Sequence, residues 1–301
     1  MAGMELARLS GSTYVSLGPT NIGAWISGES ETVLIDSGGD DDAGRKLIRA
    51  CDATGTRIAC IANTHSNADH CGGNAFIQSR TGCRIAAPRE EAAFIEHPEL
   101  EPSFLWGGYP LAPMRNKFLQ AKPSRVTDPF EAPCLVPGTS LQALCLPGHY
   151  FGMVGFMTPD RVFFAADAAA SPSILEKYGY YFVYDVAAHL ATLDLLASLD
   201  AEWIVPSHSE PTRDAASLVA ANKAKILEVG ERLAQLVPPQ GGEGASPDDL
   251  VAALASALGL ELNHTQYVLL GSTTRSYLAW LAGKGLVTTR VEGNRLIAER
   301  K

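Results

Sequence analysis

The run HSNADH, from His65 to His70, constrains the fold of this chain more than any other stretch. It places two imidazoles and a carboxylate within six residues, directly after the apolar, strand-like run 58–62. On a loop between a strand and a helix, such side chains can converge on one point, which a regular element would prevent. The alternative interpretation is a polar loop that caps the following helix. Partner residues elsewhere in the chain decide between these interpretations.

Length and composition are those of an ordinary globular protein. The chain has 301 residues, enough for one large domain or for a large and a small one. With 46% apolar residues, 19% charged residues and a net charge of -9, wholesale binding to nucleic acid or to an anionic membrane is disfavoured. No apolar run approaches the roughly 18 residues of a membrane span, and we see no signal-peptide pattern.

The cysteines indicate the compartment. Six cysteines are scattered along the chain without a CxxC pair. They are therefore predicted to be reduced thiols of a cytoplasmic protein. Cys71 is adjacent to the HSNADH run, and we interpret it as a bystander rather than as a ligand or a nucleophile.

Turn-forming segments divide the first two thirds of the chain into alternating strands and helices. The predicted strands are 13–17, 21–27, 32–35, 58–62, 140–145, 153–157, 161–165 and 203–205. The predicted helices are 43–53, 71–81 and 185–199. Between residues 84 and 133 prolines interrupt the pattern, which predicts a long irregular insertion. Its aromatic side chains either cover a pocket or pack over the core.

The last quarter of the chain is predicted to be a separate domain. A run rich in proline and glycine, 237–249, is typical of a linker. Beyond it we predict helices and then strands, at 248–258, 273–282, 286–289 and 295–298. This order resembles a winged helix, so the predicted domains are 1–237 and 246–301. Arg275 is the one cation of the second helix, which favours packing or dimerisation over DNA reading.

Three further segments supply ligand-type side chains. In each, an apolar strand-like run is followed almost at once by one such residue: His149, Asp167 or His208. Because strand ends at one edge of a sheet share a rim, ligands distant in sequence can meet there. Imidazoles with a few carboxylates suit zinc, and iron or manganese are also compatible with them.

In these motifs the chain resembles the metallo-β-lactamase-fold hydrolases. The family pattern is HxHxDH followed by a lone His, a lone Asp and a last His, and here it appears as HSNADH, His149, Asp167 and His208. The runs TNIGAWISG, LIDSGG and LPGHYFGMVGFMTPDRVFFAAD match as well, so the resemblance covers roughly residues 14–208. It implies an α/β fold, the four-layer αββα sandwich, followed here by the small winged-helix-like domain.

The resemblance also implies a two-metal centre with a bridging carboxylate. By it, His65 and His149 hold the first ion, Asp69, His70 and His208 hold the second, and Asp167 bridges them. Two cations that share a water lower its pKa and generate a hydroxide nucleophile near neutral pH. Asp69 and Asp167 are the predicted catalytic residues, and one or two zinc ions are the predicted cofactor, with iron or manganese as alternatives.

Asn67 departs from the family pattern, which usually has its second histidine at this position. A carboxamide is a weak oxygen donor where the family has a nitrogen ligand. Three outcomes stay open: a first site that binds zinc less tightly or prefers a harder metal, an amide that hydrogen-bonds a water on the metal, or a single-metal enzyme. The last would use only Asp69, His70, Asp167 and His208.

We therefore predict a metal-dependent hydrolase of a small ester, thioester, lactone or related acyl compound. The alternatives are a ribonuclease or other phosphodiesterase of the same fold, a di-iron redox protein, and a non-enzymatic binding protein. The expected partner is a small-molecule substrate, with no membrane partner; nucleic acid is disfavoured but left open, as is a homodimer.

Other side chains have two interpretations each. Tyr150 either directs its hydroxyl at a substrate oxyanion or packs in the core. The aromatic cluster 178–184 either lines the substrate pocket or belongs to the core. His189 lies inside a predicted helix, where packing is favoured over ligation.

Overall fold

Two β-sheets lie face to face in the computed structural model, which describes residues 4–28 and 30–301. The first sheet contains, side by side in chain order, β1 (Ala7–Ser10), β2 (Thr13–Ser16), β3 (Ile22–Ser27), β4 (Glu31–Ile35), β5 (Arg57–Ala62), β6 (Arg84–Pro88) and β7 (Asp128–Phe130). The second contains β8 (Cys134–Leu135), β9 (Gln142–Cys145), β10 (Val154–Met157), β11 (Val162–Ala166) and β12 (Trp203–Pro206), with β12 at one edge and β8 at the other.

Helices cover the outer faces of both sheets. They are α1 (Asp41–Ala53), α2 (Ala68–Cys71), α3 (Asn74–Thr81), α4 (Arg89–Glu96), α5 (Leu100–Trp106), α6 (Pro172–Tyr178), α7 (Val186–Ser198), α8 (Ala215–Leu236), α9 (Pro247–Ala257) and α10 (His264–Gly283), with a 3-10 turn at Ala112–Met114. A hairpin of β13 (Val287–Glu292) and β14 (Arg295–Arg300) follows. Among the helices of the described ranges, none has the length and apolarity needed to cross a bilayer.

Alternation of side chains along the strands produces the layers. In β4, Val33 and Ile35 belong to the apolar cluster between the two sheets. The intervening Leu34 belongs to the cluster beneath the helices, together with Leu47 of α1 and Ile77 of α3. On the opposite side, the outer face of the second sheet packs against α7 and α8. The predicted four-layer αββα sandwich is confirmed.

The predicted helix over 71–81 is wrong in one respect, since it is two helices broken at Gly72 and Gly73. A Cβ atom at Gly72 would lie 2.3 Å from the carbonyl of Gly39, and one at Gly73 would lie 2.3 Å from the carbonyl oxygen of Ser37. The glycines therefore allow α2 and α3 to approach the backbone that follows β4.

The stretch 84–133 is more regular than predicted, because it contains β6, α4, α5 and β7. Pro98 lies between two helices and Pro102 lies in the first turn of α5, where the missing amide hydrogen breaks no helical bond. Leu105 of α5 packs in an apolar cluster with Val268 of α10. This part of the chain is thus a folded layer that rests on the C-terminal helices.

The C-terminal elements occur in the predicted order, but α10 begins at His264 rather than at Thr273. The long helix α8 was not predicted. Helix α10 contacts α5, α7, α8 and α9, and its Tyr277 is buried in the same apolar cluster as Leu193 of α7. The winged-helix assignment and the boundary between residues 237 and 246 stay predictions.

Candidate metal centre

The predicted ligands gather at one edge of the sandwich, on segments that follow β5, β9, β11 and β12. They are His65, Asn67, Asp69, His70, His149, Asp167 and His208. Backbone hydrogen bonds hold these segments together: Val154 N donates to Thr64 O at 3.0 Å, and Ser207 N donates to Ala166 O at 3.0 Å. The two sheets are therefore joined at the point where the ligands meet.

Asp167 lies at the centre of this group. Its Oδ1 is 3.3 Å from His70 Nε2, and its Oδ2 is 3.2 Å from His208 Nε2 and 3.7 Å from His149 Nε2. Two sets of residues have ligand atoms within 4.8 Å of one another, namely His65, His70 and Asp167, and Asp69, His70 and His208. His70 is common to both sets, so the division of ligands between two ions that the resemblance implies stays a prediction.

Three buried atoms of the centre make no well-aligned hydrogen bond among the described residues. One is His65 Nε2, and the other two are His70 Nε2 and Asp167 Oδ1, which face each other at 3.3 Å as an ion pair. A buried polar atom without a partner is unfavourable, and such atoms usually have an explanation in the chemistry of the site. Imidazole nitrogens and a carboxylate oxygen directed at one region are the donors that zinc and similar cations bind. The residues present therefore fit a divalent cation.

Two imidazoles of the centre are neutral near physiological pH. Burial, reinforced by the neighbouring His70, lowers the pKa of His65 well below its usual value. Burial also lowers the pKa of His149, although Asp167 opposes this shift. A metal ion binds the unprotonated ring nitrogen. His65 and His149 can therefore bind a metal ion without first releasing a proton.

Two other imidazoles hold their second proton more tightly in the metal-free protein. Burial lowers the pKa of His208, but the charge of Asp167 and its hydrogen bond outweigh burial and raise the pKa to about 9. The carboxylates around His70 likewise outweigh burial and raise its pKa well above the usual value. In return, His208 and His70 hold the pKa of Asp167 well below its usual value, against the effect of burial.

Zinc binding is therefore expected to release protons. Because the pKa of His208 is raised to about 9, its proton competes with zinc at neutral pH and ceases to compete as the pH rises through that value. We expect the apparent zinc affinity to rise roughly tenfold per pH unit for each proton displaced, up to about pH 9. Titration calorimetry in two buffers of different ionisation enthalpy counts these protons. Binding that releases no proton at neutral pH would contradict the expectation.

Asp36 orients His70 by binding the ring nitrogen that does not face Asp167, a role that was not predicted from the sequence. Its Oδ2 accepts hydrogen bonds from His70 Nδ1 and Thr64 Oγ1, and its Oδ1 accepts one from Thr64 N, each at 2.8 Å. Metal-binding histidines commonly donate their second N–H to a carboxylate in this way. The position of Asp36 at the end of a buried strand, in the run LIDSGG, was a signal that could have indicated it.

Glu91 of α4 is a second buried carboxylate beside the centre that was not predicted from the sequence. Its Oε2 accepts hydrogen bonds from Ser66 N at 2.9 Å and Ser66 Oγ at 2.7 Å, and its Oε1 accepts one from Gly152 N at 2.7 Å. Glu91 thus ties the loop of His65 to the loop of His149. Burial raises the pKa of Glu91 to about 7, while these hydrogen bonds oppose the shift.

Asn67 contacts a third buried carboxylate that was not predicted, Glu101 of α5. Asn67 Nδ2 donates to Glu101 Oε1 at 2.8 Å, and Asn67 Oδ1 lies 3.3 Å from His149 Nε2. Burial, together with the nearby Asp69, raises the pKa of Glu101 well above its usual value, and the Asn67 hydrogen bond opposes this. Both Glu91 and Glu101 lie in the stretch that the prolines made appear irregular.

A cavity of about 610 Å³ opens beside Asp69 and His208. Its walls include Thr20, Lys117, Phe118 and Tyr178. This volume is in the range of small-molecule sites. The cavity therefore leads from solvent to the two ligands on this side of the centre.

The aromatic cluster 178–184 is divided between the cavity and the interior. Tyr178 lines the cavity, whereas Tyr181 lies beneath the centre and donates its hydroxyl to Asp167 O at 2.6 Å. Tyr150 is 1% exposed and packs against Phe94 and Phe151, which agrees with the packing interpretation.

Two further side chains behave as structural residues. His189 is buried in α7, as the packing interpretation predicts, and burial lowers its pKa to about 3. Cys71 is buried and donates its Sγ hydrogen to Ser66 O at 3.1 Å. Because burial also raises the pKa of this thiol well above its usual value, the bystander interpretation is favoured.

Comparison with known sequences finds one family and a partial relative. A family model described as the metallo-beta-lactamase superfamily matches residues 17–208. A hydroxyacylglutathione hydrolase from Maricaulis maris (strain MCS10) is 41% identical over 59 residues, which are 20% of this chain and 22% of that protein. The match therefore spans about a fifth of the length of this relative.

Solved structures resemble the whole chain or most of it. A metallo-beta-lactamase family protein from Thermus thermophilus has a TM-score of 0.71 at 23% identity, with 94% of each chain covered. A beta-lactamase domain protein from Burkholderia ambifaria has a TM-score of 0.75 at 14% identity, covering 98% of this chain and 93% of its own. The metallo-beta-lactamase SMB-1, bound to 2-mercaptoethanesulfonate, has a TM-score of 0.56 at 17% identity, covering 75% and 96%. At these identities the similarity concerns the fold.

Proposed function

The chain belongs to the metallo-β-lactamase superfamily, and from this premise we propose that it is a metal-dependent hydrolase of a small ester, thioester, lactone or related acyl compound. The observation that carries the proposal is the position of Asp167, with three imidazole nitrogens within 3.7 Å of its carboxylate, next to a cavity that reaches solvent. A histidine and carboxylate cluster open to a small-molecule cavity is the arrangement that metal-assisted hydrolysis requires.

The proposed ligands are those predicted from the sequence, His65, Asn67, Asp69, His70, His149, Asp167 and His208. The proposed cofactor is one or two zinc ions, with iron or manganese as alternatives. When bound, such cations lower the pKa of a water molecule and polarise a substrate carbonyl. The neutral state of His65 and His149 and the buried unpaired atoms of the centre support this assignment.

Asp69 is the proposed group for proton transfer. Its side chain is 47% exposed and lines the cavity, whereas those of Asp167 and His70 are 10% and 0% exposed. Thr20 Oγ1 donates to Asp69 Oδ2 at 2.9 Å, which holds the carboxylate in place. A carboxylate held at the open side of the centre can accept a proton from water and deliver it to a leaving group. Asp167, by contrast, is proposed to act through its charge.

The cavity supports a small-molecule substrate rather than a polymer. Its volume of about 610 Å³ suits a compound with a short acyl group and a leaving group of moderate size. The hydroxyacylglutathione hydrolase relative supports the inclusion of a thioester among the candidates. The many contacts of α10 with α5, α7, α8 and α9 support a packing role for the C-terminal segment, in place of nucleic-acid reading.

A substrate panel tests the proposed function. The panel comprises a p-nitrophenyl ester, a lactone with an acylamino substituent, a hydroxyacyl thioester of glutathione, and bis(p-nitrophenyl) phosphate as a phosphodiester. We expect turnover of at least one acyl compound, a loss of about a hundredfold or more on chelation, and recovery when zinc, manganese or iron is returned. Turnover of the phosphodiester alone would support a nuclease instead. Redox-active absorbance with two irons in protein purified without added metal would support the oxidative class.

A further inference from the structure

We propose that Glu101 is a positioning residue of the metal centre, which holds the Asn67 amide with its oxygen turned toward His149. In this arrangement Asn67 is an oxygen ligand of the first ion and not a gap in the ligand set. The inference rests on the proposed function, because it requires that the centre binds metal, but it is independent of the substrate.

The first step of the argument is the direction of the Asn67 amide. Asn67 Nδ2 donates to Glu101 Oε1 at 2.8 Å. A carboxyl group retains a carbonyl-type acceptor in either protonation state, so it holds the amide nitrogen on its own side. The amide oxygen is thereby turned to the opposite side. Asn67 is also the N-cap residue of α2, yet its side chain makes no capping hydrogen bond, although asparagine is favoured there for that purpose.

The second step is the group that this oxygen faces. His149 Nδ1 donates to the carbonyl oxygen of Phe182 at 3.0 Å, so in the neutral ring Nε2 carries the lone pair. His149 Nε2 lies 3.3 Å from Asn67 Oδ1. Two acceptors facing each other repel unless a cation or a proton lies between them, and a cation that both bind removes the conflict. His65 Nε2 is buried and without a hydrogen-bond partner among the described residues, and the His65 ring centroid lies 5.3 Å from that of His149.

The third step is the rigidity of the support. Glu101 is 4% exposed and lies in the first turn of α5. Leu105, one turn further along, packs in the cluster that includes Val268 of α10. A side chain on a packed helix can hold its partner in one rotamer, which is the role of residues that surround metal ligands. The C-terminal helix thus supports the helix that positions Asn67.

The experiment measures zinc binding directly, by calorimetry and by elemental analysis after dialysis, without a substrate. We expect two zinc ions per wild-type chain. Glu101→Leu removes the acceptor. We expect this variant to bind one of the two zinc ions about 10- to 100-fold more weakly and to keep the wild-type affinity for the other. Glu101→Gln retains a carbonyl acceptor for Asn67 Nδ2, so we expect both ions to bind within about threefold of wild type. Glu99→Leu, at an exposed carboxylate of the same segment, is the matched control and is expected to bind as wild type.

Several results would overturn the proposal. One is a Glu101→Leu protein that binds both ions as tightly as wild type. Another is a Glu101→Gln protein that weakens binding as much as Glu101→Leu, since that would assign the effect to charge and not to the hydrogen bond. A wild-type protein that binds a single zinc ion would also contradict a complete first site.

A second variant covers the case in which Glu101→Leu does not fold. In the double variant Asn67→Asp with Glu101→Gln the hydrogen bond is reversed, because the new amide donates to the new carboxylate. We expect it to bind two zinc ions at least as tightly as wild type. Asn67→Asp alone places two carboxylates together and is expected to bind the first ion more weakly than the double variant. Equal zinc affinity in these two variants would contradict the proposal. Failure of the substrate panel leaves these binding results unaffected.

Discussion

Replacing Asp167 with asparagine is expected to lower kcat/KM on the acyl substrate by about a thousandfold or more. The carboxylate lies between His70, His149 and His208. Its negative charge stabilises protonated imidazoles in the metal-free protein and would stabilise the cations that these residues are proposed to hold. The amide has nearly the same volume, so the change removes charge and introduces N–H donors that face a cationic centre. A loss of several kcal/mol of electrostatic stabilisation corresponds to a rate loss of this size.

The measurement combines kinetics with bound metal and one titration. With the negative charge gone, the pKa of His208 is expected to fall from about 9 toward its usual value, since Asp167 is the group that most raises it against burial. Nuclear magnetic resonance of the metal-free protein follows this pKa. Asp200→Asn, at an aspartate whose side chain is 91% exposed, is the control and is expected to change neither quantity. An Asp167→Asn protein that keeps a tenth of the activity would contradict the assigned role.

Replacing Asp36 with alanine is expected to lower the free energy of unfolding by about 3–5 kcal/mol. Asp36 is buried and accepts hydrogen bonds from the backbone and the hydroxyl of Thr64 and from the ring of His70. Alanine leaves these three donors unpaired in the interior and removes the anion that helps to keep His70 charged in the metal-free protein. The loss is expected to be larger with zinc bound than without metal, by about 1.4–2.7 kcal/mol, because a 10- to 100-fold weaker zinc affinity reduces the stabilisation that bound zinc supplies.

Urea unfolding of the metal-free and the zinc-loaded protein checks this prediction, together with a zinc affinity expected to fall by about 10- to 100-fold. Asp36→Asn is the matched control. Asparagine tolerates the left-handed backbone that Asp36 adopts, with φ of 65°, and keeps one oxygen acceptor. We expect it to lose less than half as much stability as Asp36→Ala. An alanine variant within about 1 kcal/mol of wild type would show that the hydrogen bonds of Asp36 contribute little.

The strands of the sandwich could be predicted because their signal is local. Runs such as 32–35 and 58–62 are apolar, β-branched and bounded by turn residues, and both correspond to strands of the first sheet. The helices α4 and α5 could not be read from the same signals, because prolines near their ends resembled those of a loop. What makes them helices is their packing on β6 and on α10, and a single stretch of sequence does not display that packing.

The sequence by itself predicted the set of proposed ligand residues, which lie near one another in the structure because each follows an apolar run that ends at an edge of a sheet. Only the tertiary structure decided which buried carboxylates orient those ligands. Asp36 and His70 are 34 residues apart in the chain, and so are Asn67 and Glu101. A hydrophobic pattern specifies which face of an element is buried, but which polar side chains then meet depends on how all the elements pack together. For this reason the sequence leaves open whether Asn67 is a ligand. Its proposed role depends on Glu101 of α5, a helix that packs on α10.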